Sequence, residues 1–351
     1  MVSNNIQVST VGAFKDALKV SIKKPSIAFF FLKTIFNQIK SQRRRLKLIK
    51  NGIQVPPVMI FSITNKCNLK CKGCYNMTLR PSIKSELNTD EVASILEQAR
   101  EIGMSFIVMA GGEPFARKDF LKITKAFPEL VFLVFTNSLL INEAIIDEIK
   151  KQRNVIPVLS LEGHIKQTDN RRGDGVFNFV RTVIENLKRE SIFFGISFTM
   201  TRQNFNSLTD ESFVHDLVDQ GSKLFFYLEY TAIAEGTEDW IIKKEQRDKI
   251  PDIMAEYRKR FPSLFIGIPA EEEVFGGCLS SGRGFIHVNA EGGLEPCPFA
   301  PFSDTSLKDM PLKDALKSKL LEEIRNNSHK LDESKGGCSL WNNREWVQSL
   351  L

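Results

Sequence analysis

An α/β fold built on a parallel sheet is what the sequence predicts, and three observations carry it. Short β-branched and aromatic runs alternate with longer segments of helical period. Six such strand-then-helix units follow one another, which implies parallel strands joined by right-handed crossovers, with the helices outside. The polar motifs that could carry chemistry fall just after the runs, where the loops at the C-terminal strand ends of such a sheet build an active site.

The strands are expected at residues 58–64, 106–110, 131–135, 158–161, 195–200 and 225–230. Between the first two, Val92, Ile95, Leu96 and Ala99 recur at helical spacing, with Asn88 or Thr89 as N-cap and Gly103 as the stop. A chain of 351 residues with ordinary hydrophobic and charged fractions suits one large domain and a smaller one. The divisions expected are a basic arm over 1–55, the sheet-forming region over 56–268, and an irregular module rich in Gly and Cys over 269–351. No apolar run approaches bilayer length and the N-terminus lacks the regions of a secretory signal, so a cytoplasmic location is expected.

The six cysteines form two groups, Cys67, Cys71 and Cys74, then Cys278, Cys297 and Cys338. In a chain of this size without a signal, thiols grouped at short spacing point to a metal site rather than to disulfides. The loop Cys67-Asn68-Leu69-Lys70-Cys71-Lys72-Gly73-Cys74 has three thiolates on one tight turn. Such a set can hold three irons of a cubane [4Fe–4S] cluster and leave the fourth iron open. Zinc is the competing metal, but a structural zinc site wants four ligands, usually in two separated pairs, and no second pair follows at that distance.

With a strand before it and Gly111-Gly112-Glu113-Pro114 after the next strand, this Cys-x3-Cys-x2-Cys loop resembles the signature of the radical S-adenosylmethionine superfamily. The resemblance implies a partial (β/α)6 TIM-like barrel. It also implies that S-adenosylmethionine chelates the open iron, and that reductive cleavage yields methionine and a 5′-deoxyadenosyl radical. A low-potential donor of the ferredoxin or flavodoxin type would supply the electron. One departure is Gly73, where the family usually has an aromatic residue before the third cysteine; Tyr75 lies on the other side.

By the same resemblance Gly111, Gly112, Glu113 and Pro114 receive the methionine amino group, the glycines allowing close backbone approach and Pro114 fixing the exit. Ser160 and Arg172 would bind the carboxylate or ribose, Arg172 through its planar fork. Glu162 stands where the family usually has Asp, and Thr136 and Asn137 are candidates for ribose contact. Each of these could instead be a loop residue serving a turn.

The spacing from Cys278 through Gly292 to Cys297 resembles the opening of SPASM or twitch modules, which hold auxiliary iron–sulfur clusters. With only Cys338 remaining, one auxiliary [4Fe–4S] cluster at most is implied, its fourth iron open or held by a non-cysteine ligand. Buried packing is the alternative for these three thiols. His164, His215, His287 and His329 form no ligand-spaced pair and receive no role.

Net charge is +6, yet residues 1–52 hold eleven Lys or Arg against Asp16 alone, a balance of +10 that leaves −4 for the rest. Residues 25–40 look helical with a wide apolar face, and Arg43, Arg44, Arg45 and Lys47 follow. Such an arm suits peripheral contact with an anionic membrane, or packing on the barrel; no nucleic-acid motif accompanies the charge. The leading expectation is therefore an enzyme that abstracts hydrogen from an unactivated C–H bond. Its substrate is unidentified: a lipid or isoprenoid, a peptide, or a small metabolite. A non-catalytic iron–sulfur electron carrier or metal-binding module is the alternative class.

Overall fold

The computed structural model describes residues 25–81, 85–331 and 336–351, with side chains from residue 32 onward. A single nine-stranded sheet organises it, in the order β7-β6-β5-β4-β3-β2-β1-β8-β9. The first seven strands are β1 (Val58–Thr64), β2 (Phe106–Gly111), β3 (Val131–Thr136), β4 (Val155–Leu161), β5 (Gly195–Met200), β6 (Leu224–Glu229) and β7 (Leu264–Ile268). All are parallel to their neighbours, so each crossover adds the next strand beside the last. The chain then returns to the other side of β1, where β8 (Phe285–Val288) pairs parallel to it and β9 (Leu294–Glu295) closes a short antiparallel hairpin. The two edges, β7 and β9, are not paired with each other, so the barrel is open.

All six expected strands are present, and three more extend them. β4 begins three residues earlier than expected, because Pro157 sits inside it opposite Val134 despite lacking a ladder donor. β7 carries Gly267 and has only five residues, while β8 and β9 have four and two, too short for periodicity to reveal. The sheet thus runs on past residue 269, with β8 drawn from the C-terminal region.

The main core lies between the outer sheet face and the helices, with Phe61, Phe132, Leu159, Phe198 and Phe225 essentially inaccessible. The helix Thr89–Ile102 shows why the sequence folds this way. Asn88 caps it and Glu91 completes the capping box, Val92, Ile95, Leu96 and Ala99 face the core, and Gly103 ends it at φ 93°.

The N-terminal helix Pro25–Lys50 docks at the end of that helix through its polar side. Arg44 and Arg45 donate to the Arg100 and Gly103 carbonyls, a cationic cap on a helix C-terminus, and Gln38 accepts from the Ser105 hydroxyl. The opposite side leaves Leu32, Phe36 and Ile39 exposed, Phe36 by 70 %. The apolar face expected to lie against the barrel or a membrane is thus turned outward where its side chains are described. No helix among the described residues is long and apolar enough to cross a membrane.

Candidate active site

The first cysteine loop leaves the C-terminal end of β1 and is fixed at both ends. Glu86 accepts from the Asn65 backbone N–H at 2.8 Å and from the Thr64 hydroxyl at 3.0 Å. Farther on, the Lys72 N–H donates to the Arg171 carbonyl at 2.9 Å. The loop after β2 lies directly against it, with Gly112 and Glu113 N–H donating to the Thr64 and Lys66 carbonyls, both at 2.8 Å. A Cβ at 112 would run into the Lys66 carbonyl, so this position needs glycine. The close approach expected of these glycines is therefore made to the chain's own cysteine loop. Pro114 starts a short 3-10 turn beneath it.

Glu113 is buried and brackets two strand ends. It accepts from Thr136 Oγ1 at 2.9 Å, from the Asn137 N–H at 2.8 Å and from the Phe115 N–H at 3.1 Å. Burial pushes its carboxyl up, against these donors. Thr136 is thereby turned to Glu113, while the Asn137 amide donates to Asn68 at 2.8 Å and approaches Cys67 Sγ at 3.7 Å. Burial likewise raises Cys67 and Cys71, the latter opposed by Arg172 and Arg171.

Across the mouth, Glu162 holds two guanidinium groups on one oxygen. Its Oε1 lies 2.5 Å from Arg171 Nη1 and 2.5 Å from Arg172 Nη2. Burial works against the Arg171 charge, but Glu162 and Cys71 hold its guanidinium above the ordinary range. Arg171, which sequence reading passed over beside Arg172, also donates to Thr199. Ser160 pairs with Ser197, hydroxyl to hydroxyl, at 3.2 Å. Three buried polar atoms here have no partner among the described residues, Asn76 Oδ1, Glu162 Oε2 and Arg171 Nε. Asn76, Arg171 and the three thiols all line one cavity of about 610 Å3.

Gly73 has φ 65°, and a Cβ there would meet the Tyr230 hydroxyl and the Trp240 ring. Tyr230 and Trp240, 5.3 Å apart between ring centres, thus occupy the space a larger residue at 73 would need. Tyr75 instead packs edge-on against Phe299 at 4.8 Å. Neither Tyr230 nor Trp240 carries a spacing signal, since both come from the far side of the barrel.

The structure brings Cys278, Cys297 and Cys338 to the same cavity. Cys297 and Cys338 are in hydrogen-bond contact, and that contact together with burial pushes the Cys297 thiol far up; burial raises Cys278 to about 12. The Cys338 turn is pinned to the end of β6, with Gly337 N–H donating to Glu229 and Cys338 N–H to Thr231, both at 3.1 Å. Among the described residues no three Cys, His, Asp or Glu side chains meet in an ion-sized cage. Three thiols on a loop beside unpartnered donors and acceptors fit a thiolate-held cluster with a small charged ligand next to it.

His287, given no role from sequence, sits inside a buried chain. Ser62 Oγ lies 2.8 Å from its Nε2, and Glu295 Oε2 lies 2.8 Å from its Nδ1 and 2.6 Å from Arg80. This ties β1, the β8–β9 hairpin and the segment after the cysteine loop together.

Comparison with known proteins agrees with this geometry. Residues 61–212 match the model of the radical SAM superfamily. An AdoMet-dependent heme synthase of Methanosarcina barkeri (strain Fusaro / DSM 804) is 23% identical over 311 residues, covering 81% of this chain and 88% of that one. The Fe-coproporphyrin III synthase of the same organism is 27% identical over 222 residues, 61% of this chain and 54% of that one. Streptococcus suis SuiB, solved bound to S-adenosylmethionine, shares the fold with a TM-score of 0.67 at 18% identity, over 83% of this chain and 73% of that one. The curated relatives are enzymes, which removes the electron-carrier class weighed from the sequence.

Proposed function

The chain belongs to the radical S-adenosylmethionine superfamily and is an enzyme of that type, and from that premise we propose the following division of labour. Cys67, Cys71 and Cys74 hold a [4Fe–4S] cluster, and Cys278, Cys297 and Cys338 hold an auxiliary one. When bound, the first cluster and S-adenosylmethionine supply the 5′-deoxyadenosyl radical that abstracts hydrogen from an unactivated C–H bond. The observation that carries this is the convergence of both thiol sets, with Arg171 and Arg172, on one cavity at the strand ends.

The chain's own residues bind and orient. Gly111, Gly112 and Pro114 shape the loop that seats the cluster, and Glu113 locks it to Thr136 and Asn137. Asn76 Oδ1 is a free acceptor for an ammonium or amine, while Ser160 and the Glu162–Arg171–Arg172 group face the carboxylate and ribose side. Tyr230 and Trp240 offer the apolar surface that Gly73 lacks. The units follow residues 1–55, 56–268 and 269–351, the last lending β8 and β9 to the sheet of the second. A ferredoxin- or flavodoxin-type donor supplies the electron.

The N-terminal helix docks on an anionic membrane surface. Leu32, Phe36 and Ile39 continue along the helix into exposed Lys40, Arg43, Lys47 and Lys50, an apolar and then cationic stripe. Protein reconstituted with iron and sulfide under anaerobic conditions, then given dithionite and S-adenosylmethionine, should release 5′-deoxyadenosine and methionine. No release from cluster-loaded protein would overturn the proposal.

A further inference from the structure

The cavity that begins at the cysteine loops does not stop there. It continues through the barrel to Pro57, Val58 and Phe106, at the N-terminal ends of the strands. Given a rise of about 3.3 Å per residue, the seven residues of β1 make that a depth of about 20 Å. Small barrels normally fill this space with inward side chains. Here Val108, Leu133, Phe135, Leu264 and Ile266 line the cavity and stay only partly buried, while Phe106, Ile156, Leu224 and Phe226 pack toward its lower end and residues on the outer face of the same strands are fully buried.

We propose that this lumen is the substrate site and that it takes a hydrocarbon chain, acyl or isoprenoid. The inference deepens, and rests on, the radical reading of the mouth. The charged residues lining the cavity, Glu113, Arg171, Arg172, Glu229 and Glu272, all belong to the mouth, and the walls below carry none. A peptide threaded into the lower part would bury backbone N–H and C=O groups without partners. A tetrapyrrole seated in the lower part would bring carboxylates into walls that carry no cation. Water needs polar partners that the lower walls do not offer. An alkyl chain meets every one of these conditions. The lower end lies near the segment where the N-terminal helix is anchored, its Gln38 and Arg45 contacting Ser105 and Gly103 just before β2.

The test uses the full-length protein and a fluorescent polyene fatty acid as the probe. Wild type should bind it, and Val108→Phe with Ile266→Phe, which fills the lumen with apolar bulk, should weaken binding by about tenfold or more. A melting curve checks that the variant folds; if it does not, Val58→Leu alone should give a smaller loss in the same direction. A free isoprenoid alcohol and vesicles of a dialkyl lipid, each competing with the probe, distinguish a free chain from a membrane lipid as the source. No probe binding to wild type, or equal binding to the filled variant, would overturn the proposal. Release of 5′-deoxyadenosine by the same wild-type preparation separates the two failures. Release without probe binding refutes the lumen and leaves the radical reading standing. Probe binding without release does the reverse.

Discussion

The two cysteine sets line one cavity yet are built in opposite ways. Cys67, Cys71 and Cys74 share a loop that sits among charged and amide groups, beside Arg171, Arg172 and Asn137. Cys278, Cys297 and Cys338 come from three separated segments and lie in a small apolar cluster with Leu320, Ile324 and Leu340. Each set has a buried carboxylate and arginine beneath it: Glu162 with Arg171 and Arg172, and Glu229 with Arg247 at 3.1 Å. The difference shows where ligand chemistry belongs. Partly exposed thiols with donors around them suit a cluster that must accept a charged cofactor, whereas dehydrated thiols suit a cluster held apart from solvent.

The largest expected effect separates the sets directly. Wild-type protein should carry about eight irons, and replacing either cysteine triplet with Ala should leave about four. Stoichiometric zinc in the wild type would break the comparison.

Next comes the support beneath each set. Glu162→Gln leaves two buried guanidinium groups without their anion and should destabilise the fold by about 3–5 kcal/mol in denaturant unfolding. Glu229→Gln keeps one acceptor oxygen, which can serve Arg247 or the Gly337 N–H but not both, and should cost about 1–3 kcal/mol, with the auxiliary iron lost first. Equal costs, or loss of the first cluster in the second variant, would erase the distinction.

The buried Ser62–His287–Glu295–Arg80 chain sharpens it through pH. Burial keeps the His287 pKa below its usual value, while Glu295, despite its burial, is held below the ordinary carboxylate range by His287 and Arg80. In both cases the unfolded chain takes up protons first as pH falls. Their stabilisation is therefore present above the ordinary His and Glu ranges and lost on acidification through them. Melting temperature should fall between about pH 7 and pH 4, and Glu295→Gln should flatten the part near the Glu range while His287, still lowered by burial and without the carboxylate that raises it, keeps the part near the His range. An unchanged slope in the variant would exclude the network as its source.

The smallest effect on stability is expected at the exposed helix face. Leu32→Glu with Phe36→Glu should abolish sedimentation with anionic liposomes and change the melting curve by less than about 0.5 kcal/mol. A large loss of stability would mean that this face is packed rather than free.

How much of this was legible in the sequence follows the same contrast. The first set was readable because three thiols, their strand and the Gly-Gly-Glu-Pro loop are each contiguous, and strand periodicity located six of the nine strands. Pro157 hid the start of β4, and β8 and β9 are too short to show a period. Arg171 was missed because it looks interchangeable with Arg172 until their shared carboxylate is seen. Trp240 and His287, and the contact of Tyr230 with Gly73, act across the barrel through neighbours that only the assembled fold creates. The open lumen had no sequence signal at all, since apolar residues on inward strand positions read as ordinary core.

The central claim is that the first cysteine set, and not the second, carries the cleavage of S-adenosylmethionine. It is tested most directly by measuring 5′-deoxyadenosine from three reconstituted, dithionite-reduced proteins side by side. Wild type and the Cys278, Cys297, Cys338 triple Ala variant should both release it, and the Cys67, Cys71, Cys74 triple Ala variant should release none. Release from the last protein, or its loss only in the second, would contradict the account.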